Sequence, residues 1–281
     1  METVSSTTER LLQIAQAFPS TPRILSEIGL LLKNPNVELD DIAQQLKRDP
    51  TLTARLIRLA NSAAFAQEEP VASVEVAISL AGVLEVHRLV GIAMLKQFGD
   101  GGLPAYGIPS RRLRENTLFT ALLMEELAKP AGEDPRTAYT IGLLRSIGKI
   151  GIDRLASEQA PGERYGAGPE PMALADWERG AFGITNNEAA ATIMKAWRFP
   201  HETVKAISEH YAPAGRHLPL THLLNLAANM ADKIGYGLPG ESGYWLETEE
   251  VFLKAGVTLH DAKPFIDRAH FAFDRLLRSD F

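Results

Sequence analysis

Residues 138–155, AYTIGLLRSIGKIGIDRL, form an apolar segment that is interrupted by the polar pair Arg145-Ser146. Leucines precede this pair and isoleucines follow it. Arg145, Lys149 and Asp153 are spaced four residues apart, so on a helix they share one face. That face is either a solvent-exposed polar stripe or a polar surface that points into the protein. The spacing alone favours neither alternative.

The segments around this stretch repeat with the period of a helix. Residues 50–63, PTLTARLIRLANSA, place leucines and alanines on one stripe. Asp49 is predicted to cap this helix, and Pro50 suits its first position. Asp134-Pro135 repeats that arrangement shortly before residues 138–155. Strand-like alternation bounded by turn residues is almost absent, so the sequence predicts an all-α protein.

The composition restricts the classes of function. The net charge of −6 disfavours an extended nucleic-acid surface and docking to anionic membranes. The absence of cysteine excludes disulfides, thiolate catalysis and cysteine-based zinc sites. No segment approaches the roughly 18 to 20 apolar residues that span a bilayer, and the polar N-terminus lacks the apolar core of a secretory signal. We therefore expect a soluble, cytoplasmic protein without nucleic-acid or membrane partners.

A Gly/Pro-rich stretch divides the chain into two helical blocks. Residues 98–110, FGDGGLPAYGIPS, contain four glycines and two prolines. We predict an N-terminal helical lobe over residues 1–105 and a second helical lobe, with a C-terminal helical extension, over residues 106–281. The chain contains no phosphate-binding loop, dinucleotide fingerprint, nucleophile elbow or HExxH zinc motif.

Three stretches together resemble the HDOD family, whose name stands for HD-related output domain. Residues 18–65, with the run DDIAQQLKRDPTLTARLIRLANSA, resemble the opening of that family, and SVEVAISLAGVLEVHRLV continues the match at 73–90. Residues 138–155 are similar to the GLLHDIGK helix of HD phosphohydrolases. Residues 176–211, DWERGAFGITNNEAAATIMKAWRFPHETVKAISEHY, resemble the stretch with later family histidines. The resemblance covers about residues 15–235 and implies a two-lobe helical protein whose second lobe is a degenerate HD domain.

The resemblance also locates the positions at which an HD hydrolase binds its metal ions. A guanidinium group cannot ligate a metal, and four of the matched positions have lost their ligand type. We therefore expect no catalytic residue, no metal and no cofactor, and we predict a vestigial HD pocket lined by Asn116, Arg145, Ser146, Asn186, His210 and Asp232.

A buried Arg145 would need an anionic partner. Asp232 is the first candidate and Glu178 the second, and such a carboxylate would replace the metal and hold the helices together. Alternatively, Arg145, Asn116 and other polar residues of the pocket bind an anionic small molecule. We expect the internal ion pair.

The function implied by the resemblance is bacterial signal transduction without catalysis, through contact with a protein partner that the sequence does not identify. One alternative is a sensor that binds an anionic small molecule or nucleotide in the vestigial HD pocket. The other alternative is a divergent metal-dependent phosphohydrolase.

Overall fold

The computed structural model describes residues 2–18, 21–31, 34, 36–61, 70–99, 101–168, 170–213, 219–245, 252–253, 255–257 and 262–278. The α-helices in chain order are α1 (Glu2–Ala17), α2 (Thr21–Leu31), α3 (Leu39–Lys47), α4 (Pro50–Ala60), α5 (Val74–Ala81), α6 (Val83–Gly99), α7 (Ser110–Ala128), α8 (Pro135–Leu144), α9 (Ile147–Gln159), α10 (Leu174–Phe182), α11 (Asn186–Ala196), α12 (His201–Glu209), α13 (Pro219–Ala231) and α14 (Ala262–Arg278). In these ranges β pairing is limited to an isolated antiparallel bridge between Leu103 and Ile108. The all-α prediction is confirmed.

The helices form two compact units. The larger unit consists of Met1–Phe18 and Phe98–Phe273, and the smaller unit consists of Pro19–Gln97 and Asp274–Phe281. This division differs from the predicted lobes in two places. Residues 1–18 group with the second half of the sequence, and residues 274–281 group with the first half.

Helix α1 belongs to the larger unit because its apolar face packs against α9 and α11. Leu11 is fully buried in this contact, and the indole Nε1 of Trp197 donates a hydrogen bond to the backbone oxygen of Ala15 at 2.8 Å. The Gly/Pro-rich stretch is also part of this unit rather than an exposed linker. Its 3₁₀ turn, Pro104–Tyr106, buries the Tyr106 side chain to 1% exposure.

The two predicted Asp-Pro helix starts are confirmed by their hydrogen bonds. The Asp49 carboxylate accepts hydrogen bonds from the backbone N–H groups of Thr51 and Leu52, at 2.9 and 3.1 Å. The Asp134 carboxylate accepts one from the N–H of Thr137 at 3.2 Å. Each aspartate thus satisfies backbone donors that the first helical turn leaves without a partner.

In the part of the chain that the structure describes, no single helix is long and apolar enough to cross a membrane. One helix pair, Val74–Ala81 with Val83–Ala93, has the combined length and apolar composition of a membrane span, but its two helices are bent by 109° relative to each other.

Two glycines allow α8 and α9 to approach their neighbours closely. A Cβ atom on Gly142 would lie 2.5 Å from the Cα of Ala121 in α7. A Cβ atom on Gly148 would lie 1.8 Å from the backbone oxygen of Asn186 in α11. Backbone therefore packs against backbone on both sides of the junction between α8 and α9, and this packing fixes the position of the residues at the junction.

We expect Gly148→Ala to destabilise the protein by about 2 to 3 kcal/mol, because the added methyl group must displace the backbone of α11. Urea unfolding measures the change. Gly180→Ala is the matched control, since Gly180 is an exposed helical glycine with no atom within 4 Å of an added Cβ. The control should gain stability through its higher helix propensity. Equal stability of the two variants would contradict the close packing.

Candidate functional site

The predicted polar pair occupies the junction between α8 and α9. Helix α8 ends at Leu144 and α9 begins at Ile147, while Ser146 adopts φ −93° and ψ 6°, outside the helical region. Arg145 and Ser146 are each 2% exposed, and Lys149, one turn further on, is 1% exposed. The alternative of a solvent-exposed polar stripe is therefore wrong for Arg145 and Lys149, because their side chains lie in the interior of the larger unit.

The anionic partner of Arg145 is Glu241, a residue that the sequence did not indicate. The Nη2 group of Arg145 donates to one carboxylate oxygen of Glu241. Lys149 Nζ donates to the other oxygen at 2.6 Å, and the Tyr211 hydroxyl donates to that same oxygen at 2.7 Å. Lys149 also donates to the Tyr211 hydroxyl. We call Arg145, Lys149 and Glu241 the buried charge cluster; each of its side chains is 1% exposed.

Asp232, the first candidate for this pairing, lies elsewhere. It begins a single π-helical turn, Asp232–Tyr236, directly after α13, and its side chain is partly buried. A Cβ atom on Gly237 would lie 1.7 Å from Asp232 Oδ1, so the carboxylate occupies the space beside that glycine. The prediction that Asp232 pairs with Arg145 is wrong, because the local turn directs the carboxylate toward Gly237 while Glu241 takes the guanidinium group.

Glu178, the second candidate, binds Asn186 and Tyr106 instead of Arg145. Its fully buried carboxylate accepts hydrogen bonds from the backbone N–H of Asn186 at 2.8 Å, from the Asn186 side chain at 2.9 Å and from the Tyr106 hydroxyl at 2.8 Å. Burial raises the pKa of the Glu178 carboxyl group, and the positive charge of Lys149 opposes that shift. Because Asn186 is the first residue of α11, this carboxylate caps the positive end of a helix dipole.

Asn116 connects Arg145 to the π-helical turn. Its side-chain oxygen accepts a hydrogen bond from Arg145 Nη1 at 2.5 Å, and its side-chain nitrogen donates to the backbone oxygen of Tyr236 at 2.8 Å. The guanidinium carbon of Arg145 lies 5.6 Å from the ring centroid of Trp245, within cation–π distance. Amide, carboxylate and aromatic groups thus surround the guanidinium group.

His210 is buried beside this cluster without a hydrogen bond to it. Its Nδ1 group contacts the backbone oxygen of Ile207 at 2.7 Å, which identifies Nδ1 as the protonated nitrogen. Burial, reinforced by the charge of Arg145, lowers the pKa of His210 to about 3, so the imidazole ring is neutral near pH 7. His210 Nε2, Arg145 Nε and Ser146 Oγ have no hydrogen-bond partner among the described protein atoms.

The structure brings together most of the predicted pocket but changes its composition. Arg145 and Asn116 are in direct contact, His210 and Ser146 are buried next to them, and Asn186 binds a second carboxylate. Sequence reasoning missed two of the three charged groups. The four-residue spacing of Arg145 and Lys149 was a usable signal for Lys149. Nothing in the sequence around Glu241, GLPGESGYW, indicates a buried carboxylate.

The side chains at this site do not fit a catalytic metal ion. Metal ions of HD-type sites need carboxylate and neutral imidazole donors, whereas amide, guanidinium and hydroxyl groups stand at Asn116, Arg145 and Ser146. The ammonium group of Lys149 adds a second fixed positive charge. No group of three or more His, Asp or Glu side chains in the described ranges is arranged to hold a metal ion.

The stability of the protein should depend on pH through His210. An unfolded histidine has a pKa near 6.5, so below that pH the unfolded chain binds a proton that the folded protein, with its pKa of about 3, excludes. Above pH 6.5 the group is neutral in both states and does not affect stability, whereas between pH 6.5 and pH 3 it lowers the stability by about 1.4 kcal/mol per pH unit as the pH falls.

Urea unfolding as a function of pH measures this dependence. We expect His210→Asn to remove about 1.4 kcal/mol per pH unit from the slope between about pH 6 and pH 5, whatever its effect at neutral pH. His201→Asn is the matched control, because His201 is exposed at the start of α12, the helix that ends just before His210, and it should retain the wild-type slope. A wild-type slope in His210→Asn would show that the imidazole ring is protonated in the folded protein.

Comparison with known proteins identifies the family and the fold of this chain. Residues 18–213 match the HDOD domain. Three solved structures share the fold at sequence identities below 25%. A Geobacter sulfurreducens HDOD domain protein of unknown function is 19% identical, with a TM-score of 0.62 and coverage of 95% of this chain and 89% of that one. A Marinobacter aquaeolei protein, named as a candidate signal transduction protein, is 22% identical, with a TM-score of 0.68 and coverage of 99% and 63%.

The third solved structure, a Shewanella amazonensis protein named as a candidate phosphohydrolase, is 24% identical, with a TM-score of 0.61 and coverage of 93% of each chain. An uncharacterised protein of Treponema pallidum is 27% identical over 158 residues, which make up 53% of this chain and 29% of that relative. The chain therefore spans less than a third of the length of this curated relative. The match over residues 18–213 covers well over half of the sequence, and the chain belongs to the HDOD family.

Proposed function

We propose that this protein is a regulatory component of bacterial signal transduction that acts by binding a protein partner and catalyses no reaction. The observation that carries this proposal is the buried charge cluster, in which Arg145 stands at a position that the resemblance to HD hydrolases gives to a metal ligand. Membership of the HDOD family supports a signalling role. The solved structure from Marinobacter aquaeolei, named as a candidate signal transduction protein, has the same fold.

The cluster opposes hydrolysis for two physical reasons. An HD-type hydrolase uses a metal ion to lower the pKa of a bound water molecule and to neutralise a phosphate ester. Here Arg145 and Lys149 are cations, and the carboxylate of Glu241 already accepts hydrogen bonds from both of them and from Tyr211. All three charged side chains are also inaccessible to solvent, so neither water nor a phosphate ester reaches them.

An anion sensor is the second candidate, because one observation favours it. Arg145 Nε and Ser146 Oγ are buried donors that have no partner among the described residues, and an anion could accept hydrogen bonds from both. Such a ligand would have to compete with the carboxylate of Glu241 for the same guanidinium group. We favour the internal carboxylate, because it is tethered to the chain and therefore loses less entropy than a free ligand when it pairs.

One set of measurements on the purified protein separates these functions. We expect no hydrolysis of phosphomonoesters or phosphodiesters with Mn²⁺ or Mg²⁺, no thermal stabilisation by phosphate or nucleotides, and one protein partner that binds the purified chain with defined stoichiometry. Metal-dependent turnover that Asp232→Asn removes and Glu209→Gln retains would contradict the proposal.

Two further results would also contradict it. Stabilisation by an anion that disappears in Arg145→Met would favour the sensor. Failure to reconstitute binding with any purified candidate partner would remove the support for protein–protein action.

A further inference from the structure

A cavity of about 290 Å³ lies in the larger unit, beside the C-terminal half of α9. The 3₁₀ turn with Pro104 and Ala105 forms one wall, and the face of α9 that carries Asp153, Ala156 and Ser157 forms the other. Residues 161–164, which are exposed, form the rim. None of the cavity-lining residues belongs to the buried charge cluster.

The volume limits what the cavity can hold. One water molecule occupies about 30 Å³ in the liquid. The cavity volume is roughly ten times larger, so the cavity is too large for a single water molecule or a bare ion. It also lies just below the range of about 300 to 1,000 Å³ that is typical of small-molecule sites. A single extended amino-acid side chain suits this space better than a nucleotide does.

The charges around the cavity favour a cation. Asp153 is partly buried, and its Oδ1 atom accepts a hydrogen bond from the backbone N–H of Ala105 at 2.8 Å. Burial raises the pKa of Asp153, and among the described residues no basic side chain forms an ion pair with it. The rim adds a second carboxylate, Glu163, which accepts a hydrogen bond from the indole of Trp177 at 2.8 Å. Helix α9 ends at Gln159, so the negative end of its dipole adjoins the cavity.

The remaining lining groups suit the stem of a long basic side chain. Ala105, Ala156 and the ring of Pro104 offer apolar surface for a chain of methylene groups. Arg164 lies on the rim and is exposed, and it forms no ion pair with Asp153 or Glu163 in this part of the chain. The cavity thus combines an apolar passage with a carboxylate that has no counter-ion among the described residues.

We propose that this cavity binds an arginine or lysine side chain of the protein partner, with Asp153 as the counter-ion of the inserted cation. This inference rests on the proposed function, because it takes the partner to be a protein. The aliphatic stem packs between the 3₁₀ turn and α9, and the charged tip meets the carboxylate oxygen of Asp153 that does not accept from Ala105.

The test titrates blocked tripeptides into the full chain and follows the backbone amide signals of the protein by NMR. Acetyl-Gly-Arg-Gly-amide and its lysine analogue should give saturable shifts at Ala105 and Ser157, whereas the neutral citrulline analogue should not.

Asp153→Asn should weaken binding of the arginine peptide by at least about tenfold, since it removes the charge and keeps the shape. Ser157→Leu keeps the carboxylate but narrows the cavity, and it should weaken binding as well. Glu209→Gln, which alters a partly exposed carboxylate outside the cavity, should bind like wild type.

Three results would overturn the inference. The first is the absence of saturable shifts with both basic peptides, and the second is equal affinity of Asp153→Asn and wild type. The third is binding of free agmatine without binding of either blocked peptide, which would make the cavity a site for a small amine.

Failure of this inference can be told apart from failure of the proposed function. A reconstituted partner that binds Asp153→Asn as tightly as wild type would overturn the cavity as its docking site and leave the proposed function intact. If no purified partner binds the wild-type chain, the proposed function and the docking role of the cavity are both overturned. This holds even if the basic peptides bind to the cavity.

Discussion

The carboxylate of Glu241 allows two cations to lie in the interior of the larger unit. Burial acts to raise the pKa of Glu241, but the positive charges of Arg145 and Lys149 outweigh it and lower the pKa to about 2. Glu241 is therefore ionised at neutral pH and attracts both cations, which would otherwise be very unfavourable in a low-dielectric interior. Through it, the junction of α8 and α9 is joined to the residues after α12 and to the turn that follows Glu241.

One residue of the buried charge cluster, Arg145, stands at a position that the resemblance to HD hydrolases gives to a metal ligand, and the side chains around it do not fit a metal ion. A metal ion would cross-link side chains from several helices and leave a coordination position for water. The buried charge cluster cross-links the same region through two cations that share one carboxylate, and each of its side chains is 1% exposed. Because replacing such clusters by apolar groups is often neutral for stability, the cluster is better understood as fixing the arrangement of the helices than as adding net stability.

Local patterns predicted local structure well, and long-range partners poorly. The helical period and the caps at Asp49 and Asp134 depend on neighbouring residues, so they could be read from the sequence. The grouping of α1 with the larger unit could not, because an amphipathic helix shows which face is buried but not what buries it. Glu241 lies outside the matched family region, in a turn without periodicity, and only the folded chain brings it to Arg145. Asp232 was the expected partner by resemblance, but a π-helical turn directs its carboxylate to Gly237.

The central claim is that Arg145 and Glu241 stabilise each other inside the protein, and a double-mutant cycle measures that coupling most directly. Glu241→Gln should lower the free energy of unfolding by about 3 to 5 kcal/mol, because it leaves two buried cations without a carboxylate, and Arg145→Met should lower it by less, because Glu241 keeps Lys149 as a partner. The double variant should lose much less than the sum, with a coupling energy of at least about 2 kcal/mol. The partly exposed pair Lys205 and Glu209, 3.9 Å apart on α12, serves as the matched control and should show coupling of about 0.5 kcal/mol or less. Additive losses for Arg145 and Glu241 would contradict the account.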